Sequence, residues 1–137
     1  LHRCSHRFLQ AHGHAPVDMR RFRPNIVLGS ADGLAHDEDR VARFQIQTHI
    51  QTHTQNQPQG SATEAILLPV KPCPRCPIPN IDPDTALSDD AVTAVLQSYR
   101  QDARVNGAVT FGMNALVLQG AGQTLRVGQR VQAPWAF

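Results

Sequence analysis

The sequence predicts a mainly β protein, a turn-rich barrel interrupted by one helix. Ten prolines and nine glycines among 137 residues supply far more turns than a helical bundle needs. The hydrophobic share is 41% with aromatics at 5%, and the apolar residues fall in short runs bounded by turn residues, the pattern of strands. One segment alone, 89–104, carries a helical period. One helix amid many short strands implies a β-barrel with an inserted helix.

Taken in order, residues 1–17 hold His2, His6, His12 and His14 and follow neither a strand nor a helix period, so they are expected to be a linker or the remnant of a missing amino-terminal region. The chain opens on Leu1 rather than Met, and a fragment of a longer product is expected. The run Arg-Phe-Arg-Pro-Asn-Ile-Val-Leu over 21–28 ends in three apolar residues and stops at Gly29, which predicts a strand with Pro24 near its start or on an edge. An acidic turn at Asp37, Glu38 and Asp39 precedes a short strand over 41–46. Residues 47–61, rich in Gln, Thr and His, read as a low-complexity loop between that strand and another over 65–70.

Residues 71–83 carry prolines at 72, 74, 77, 79 and 83, which predicts a loop that is neither helix nor central strand. Ser88 is the expected cap of the helix, with Asp89 and Asp90 in the first turn where the dipole favours them. Val92, Val95, Leu96, Tyr99 and Ala103 follow at helical spacing, and Gly107 stops the run. Three short strands are expected thereafter, over 108–111, 115–118 and 124–127 continuing toward Val131.

Composition excludes several functions. No run of about 18 apolar residues exists and the first residues lack the core of a signal peptide, so the reading is a cytoplasmic protein without a membrane partner. The net charge of +2 comes without a basic run or interleaved aromatics, which disfavours nucleic acid. Lys71 is the one lysine; the other cations are arginines, suited to bidentate capture of discrete oxyanions.

The chemistry concentrates in Lys71-Pro72-Cys73-Pro74-Arg75-Cys76-Pro77. Two thiols three positions apart, with Arg75 between them, make an electropositive place for a soft metal. By themselves they are compatible with a metal ligand, half of a zinc site, a redox dithiol or no role, and no second cysteine pair decides among these. Glu38, Asp39 and Asp82 read as turn or cap residues, and Leu96 and Tyr99 as core. His49 and His53 have chelating spacing if helical, but their neighbours favour a solvated loop; His2, Cys4 and His6 alternate as strand ligands would, in a terminal segment.

Arg-Phe-Arg-Pro-Asn (21–25), Glu38-Asp39, Lys-Pro-Cys-Pro-Arg-Cys (71–76), Asp-Pro-Asp-Thr (82–85), Leu-Gln-Ser-Tyr-Arg (96–100), Phe-Gly-Met-Asn (111–114) and Arg-Val-Gly (126–128), in this order, resemble the MOSC family, and within it the bacterial proteins akin to the mitochondrial amidoxime-reducing component. The resemblance covers residues 18–133 and implies a MOSC-type partial β-barrel over 18–137. It further implies a molybdenum cofactor (Mo-molybdopterin) whose metal takes its protein thiolate from Cys76, with Cys73 a neighbour. Arg23 would hold cofactor oxygens, and Asn25, Arg75 and Asn114 would line the pocket. The family commonly has Trp in place of Val41 and Gly in place of Gln47 and Ala86, and its members carry an amino-terminal β domain before the position of Arg20.

The implied activity is an oxidoreductase that reduces small N-hydroxylated compounds by oxygen-atom transfer. The cysteines lack the spacing of an iron–sulfur cluster, so electrons would come from a separate donor of ferredoxin or flavoprotein reductase type. The alternative is a non-enzymatic carrier of the cofactor or its sulfur, or a non-functional fragment. The composition of 47–61 also makes a prediction. It offers little apolar area to bury, and shortening a surface loop recovers about 0.6 kcal/mol per halving. Replacement by a short Gly-containing turn should leave the melting temperature unchanged or higher; a collapse of folding in a thermal melt would show that the loop packs.

Overall fold

The computed structural model describes residues 17–29, 34–48 and 63–136. The expectations for His2, Cys4, His6, His49 and His53 lie outside these residues. The described fold is mainly β, with a five-stranded antiparallel sheet and one α-helix. The strands are β1 (Phe44–Thr48), β2 (Thr63–Pro74), β3 (Gln101–Asp102), β4 (Ala108–Gln119) and β5 (Val131–Gln132), in the order β3-β4-β2-β1-β5, and the helix is α1 (Ala91–Tyr99). Among the described residues the sheet is not closed, as befits a partial barrel. None of their helices is long and apolar enough to cross a membrane.

The chain divides into two compact units. One takes its described residues from Leu1–Arg40 and Lys71–Asn114. Its core is Val17, Phe22, Val92, Val95, Leu96 and Phe111, with Met19, Tyr99 and Val109 packed against it. The spacing of Val92, Val95, Leu96 and Tyr99 puts one face of α1 on this core, as the sequence predicted. Each large apolar side chain so buried contributes about 2 kcal/mol.

The helix is shorter than the 89–104 expected, and its cap is not Ser88, which lies in a β-bridge with Ile81. The free N–H groups of the first turn are taken instead by Asp89, which accepts from Ala91 N at 3.0 Å, and by buried Asn80, which accepts from Thr93 N at 3.0 Å. At the other end Thr110 N donates to Arg100 O at 2.9 Å, and Gln101 and Asp102 pair with Val109 and Ala108. Strand pairing thus ends the helix after Tyr99, and Ala103 begins a separate 3-10 turn, Ala103–Val105.

Three other expectations need correction. Residues 21–28 do not form a strand: Asp18 caps a 3-10 turn over Met19–Phe22, and Phe22 faces the core. The three strands expected after Gly107 are fewer, because Gly112 adopts φ +76 within β4 without ending it and 124–127 is irregular. Residues 71–74 belong to β2 despite Pro72 and Pro74. Beyond Leu67 no pairing with β1 is formed, and Arg75 N donates to Val109 O of β4 at 2.8 Å. By the alternation of a strand the nitrogens of Pro72 and Pro74 face the side away from β4, where no donor is needed.

The second unit comprises the described residues of Val41–Val70 and Ala115–Phe137. β1 and β2 are antiparallel, so the strands that flank 47–61 are partners, and Phe44 and Ile46 alternate inward with Ala65 opposite Ile46. β5 pairs with β1, and Val41 bridges Trp135. Leu116, Val117 and Leu118 of β4 are each more than half exposed, an apolar strand segment uncovered within this unit.

Gly120 and Gly122 both have left-handed backbones, at φ +85 and +83. A Cβ on Gly120 would lie 2.8 Å from Ala65 Cα, whereas one on Gly122 meets nothing within 4 Å. Gly122→Ala should therefore cost about 1 kcal/mol of backbone strain, and Gly120→Ala about 2–4 kcal/mol once the clash with a neighbouring backbone is added. Urea denaturation of the two variants checks this, and equal losses would refute the packing.

Candidate functional site

The sequence-predicted site residues all fall in the first unit, on three segments. The 3-10 turn Met19–Phe22 ends at Arg23, whose backbone is left-handed (φ 47, ψ 51) and whose N–H donates to Arg20 O at 3.0 Å. For a residue with a Cβ this conformation costs about 1–2 kcal/mol, so the surroundings must hold it. Asp18 and Arg21 do part of that work. Asp18 accepts from Arg20 N at 2.7 Å, while Arg21 donates to Asn80 O at 3.1 Å and pairs with Asp82 at 2.7 Å. The side chains of Arg23 and Asn25 are exposed.

Asp82 is the turn residue the sequence suggested. Its carboxylate accepts from Thr85 N and Asp84 N at 2.9 and 3.0 Å, and these bonds hold its pKa down at about 2.

The second segment carries the cysteines. Cys73 is half-buried near the end of β2 and Cys76 is exposed just beyond it; both are free thiols. Arg75 between them is half-buried and turns inward. Its Nε donates to Phe111 O at 2.9 Å, its Nη2 to the same oxygen, and its Nη1 to Phe22 O at 2.9 Å. Three of the five N–H donors of a guanidinium are thereby used, which leaves two without a partner among the described residues. The guanidinium also lies 5.8 Å from the Phe22 ring centroid. No carboxylate among the described residues pairs with it. Burial lowers its pKa from the ordinary arginine value, and attraction to Cys73 and Cys76 acts in the opposite sense.

The third segment is β4, where Phe111 is fully buried and Asn114 half-exposed. The structure thus ties the peptide units beside Arg23 and Cys76 through Arg75, while no hydrogen bond among the described residues ties Asn25 or Asn114 to them. Those residues also contain no group of three or more His, Cys, Asp or Glu side chains arranged to hold a metal ion. A zinc centre, which needs four protein ligands or three and a water, is not assembled from them.

A neighbouring buried polar cluster was not singled out from the sequence. Asp39 and Arg100 form an ion pair at 2.7 Å, with side chains 17% and 11% exposed, and Glu38 is buried beside them in the 3-10 turn Asp37–Arg40. His36 takes a left-handed backbone at φ 64, places Nε2 3.3 Å from Tyr99 Oη, and packs edge-on to Phe111 at 5.7 Å. The available signal was weak: histidine is among the residues enriched in the left-handed region, and it precedes an acidic turn.

The family model for the MOSC domain matches residues 2–132, and the chain belongs to the MOSC domain family. Such domains are associated with binding of the molybdenum cofactor. No curated protein matches the sequence.

The cluster predicts a pH response. Burial, and secondarily repulsion by Arg100, lowers the His36 pKa from 6.5 to about 4, with Asp39 opposing. The fold accommodates the neutral ring, so its contribution is complete above pH 6.5 and is lost as pH falls from 6.5 to about 4. That loss should be about 2 kcal/mol once solvent screening of the partly open ring is allowed for. Asp82 and Asp102, both held at about 2, lose their contributions below pH 3.8. Urea midpoints should fall in two steps, and His36→Gln should abolish the upper step alone; an unchanged upper step would rule out His36 as its source.

Proposed function

We propose that this MOSC domain binds the molybdenum cofactor through the Cys76 thiolate and serves in the reduction of small N-hydroxylated compounds by oxygen-atom transfer. The observation that carries the reading is an exposed thiol at Cys76 next to a half-buried guanidinium that has no carboxylate partner among the described residues. This donor set fits the group. A single soft thiolate suits a metal that arrives with its other ligands on a pterin, and an uncancelled positive charge suits an anionic one. The bound cofactor supplies the two-electron oxygen-atom chemistry.

The chain's residues bind and orient it. Cys76 anchors the metal and sets the polarity of its surroundings. Arg23, projecting from the strained corner, offers a fork of N–H donors to phosphate or oxo oxygens, and Arg75 adds two donors that no described residue takes up. Asn25 and Asn114 are the further lining residues of this reading. Cys73 stands beside the ligand without taking part. Electrons come from a separate donor protein of ferredoxin or flavoprotein reductase type, and the setting is the cytoplasm.

The test separates the two cysteines. Cys76→Ser replaces the thiolate with a hydroxyl that stays protonated at neutral pH, so molybdenum content, visible metal–thiolate absorption and benzamidoxime reduction should all fall by about tenfold or more. Cys73→Ser should keep most of each, and Arg23→Ala should lower occupancy without altering the absorption per molybdenum. Equal losses at both cysteines would point to a dithiol or zinc site, and no loss at either would sink the molybdenum reading. Full molybdenum binding with no reduction under a chemical electron donor would identify a carrier.

A further inference from the structure

We propose that Arg75 is a positioning residue, whose guanidinium locks the Cys76 loop and the Arg23 corner into one fixed arrangement through Phe111 O and Phe22 O. Its consequence for cofactor binding rests on the reading of Cys76 and Arg23 given above. The two acceptors lie 36 and 53 positions away in sequence, so one side chain joins three separate segments. The tie to Phe22 has a site residue next to each of its ends. Phe22 immediately precedes Arg23, and Arg75 immediately precedes Cys76.

The geometry needs a planar fork. Nε and Nη2 converge on one oxygen while Nη1 reaches another, and the Phe22 ring lies alongside at 5.8 Å. A lysine ammonium, a point charge with rotatable donors, cannot reproduce that set. The backbone of Arg75 is fixed as well, since its N–H donates to Val109 O at 2.8 Å.

Two features set this arginine apart from an ordinary stabilising one. It is half-buried with neutral carbonyls as its partners, an expensive way to hold a charge if general stability were the sole return. And the corner it restrains is itself strained, with Arg23 at φ 47, a conformation that persists where the surroundings over-determine it. A clamp that holds a strained corner against a thiol loop fixes the spacing of the two groups that the proposed cofactor must meet together.

Arg75→Lys and Arg75→Met distinguish a clamp from a charge. In both, backbone amide exchange at Arg23 and at position 75 should quicken by about tenfold, the loss of about 1.4 kcal/mol of local restraint. The amides of Ala94 and Arg100, bonded to Asp90 O and Leu96 O in the helix, should be unaffected. Molybdenum retained per chain should drop alike in the two variants. Wild-type exchange and retention in Arg75→Lys would overturn the proposal, because charge alone would then suffice. Equal quickening at Ala94 and Arg100 would also overturn it, by showing a global loss of stability.

Should neither variant fold, the Arg75 Nε–H resonance of the wild-type chain decides: slow solvent exchange supports the clamp and fast exchange refutes it. A wild-type chain that retains no molybdenum would sink the cofactor reading, while the amide exchange still decides the role of Arg75.

Discussion

Phe22 and Phe111 lie stacked at 4.1 Å with ring planes 20° apart, both almost wholly removed from solvent. Their rings belong to the hydrophobic core and their carbonyls belong to Arg75. Apolar and polar anchoring therefore act on the same two peptide units. Aromatic stacking of this kind is worth about 1 kcal/mol beyond the area buried, but its larger effect is geometric: any shift of either ring moves an oxygen that the guanidinium needs. The 3-10 turn, the cysteine loop and β4 take their mutual positions from this one contact, and α1 packs on the same core from Val92, Val95 and Leu96.

Three arginines of the first unit show how neighbours decide what a guanidinium does. Arg21 bridges backbone and carboxylate, through Asn80 O and Asp82, and so holds the proline-rich loop to the turn before Arg23. Arg100 meets Asp39 in a nearly buried pair, yet Arg100 Nη2 and Asp39 Oδ1 are left without hydrogen bonds. A buried pair with unspent atoms gives back little net stability, although removal of one partner would strand the other charge. Among the described residues Arg75 has neutral oxygens alone. The first two are balanced within the fold, and the third leaves positive potential beside the thiols.

Periodicity made α1 legible: the buried Val92, Val95 and Leu96 and the partly buried Tyr99 are the residues whose spacing announces the helix. Its ends were not, because they depend on partners far along the chain. Asn80 replaced Ser88 at the amino end, and pairing of Gln101 and Asp102 with β4 cut off the last turn. Residues 21–28 have strand propensity, but a local carboxylate, Asp18, captured the backbone into a turn. Pro72 and Pro74 read locally as strand breakers, whereas a proline breaks a strand only where its missing donor is wanted. Family membership was legible from ordered motifs. The inward turn of Arg75 was not, since nothing local reveals that its partners are the carbonyls of Phe22 and Phe111.

Pro72 and Pro74 leave a chemical mark on the side of β2 that faces away from β4. With both nitrogens alkylated, that flank presents carbonyl oxygens and no amide hydrogens between Lys71 and the cysteine loop. A passing strand cannot zip onto such a rim, because half of every backbone pair would be missing. Pro72 is buried and Pro74 exposed, so the outer of the two prolines is the one that meets solvent. The end of β2 beside the thiols is thus closed to sheet growth along this flank, a stop made from two residues that have no functional group of their own.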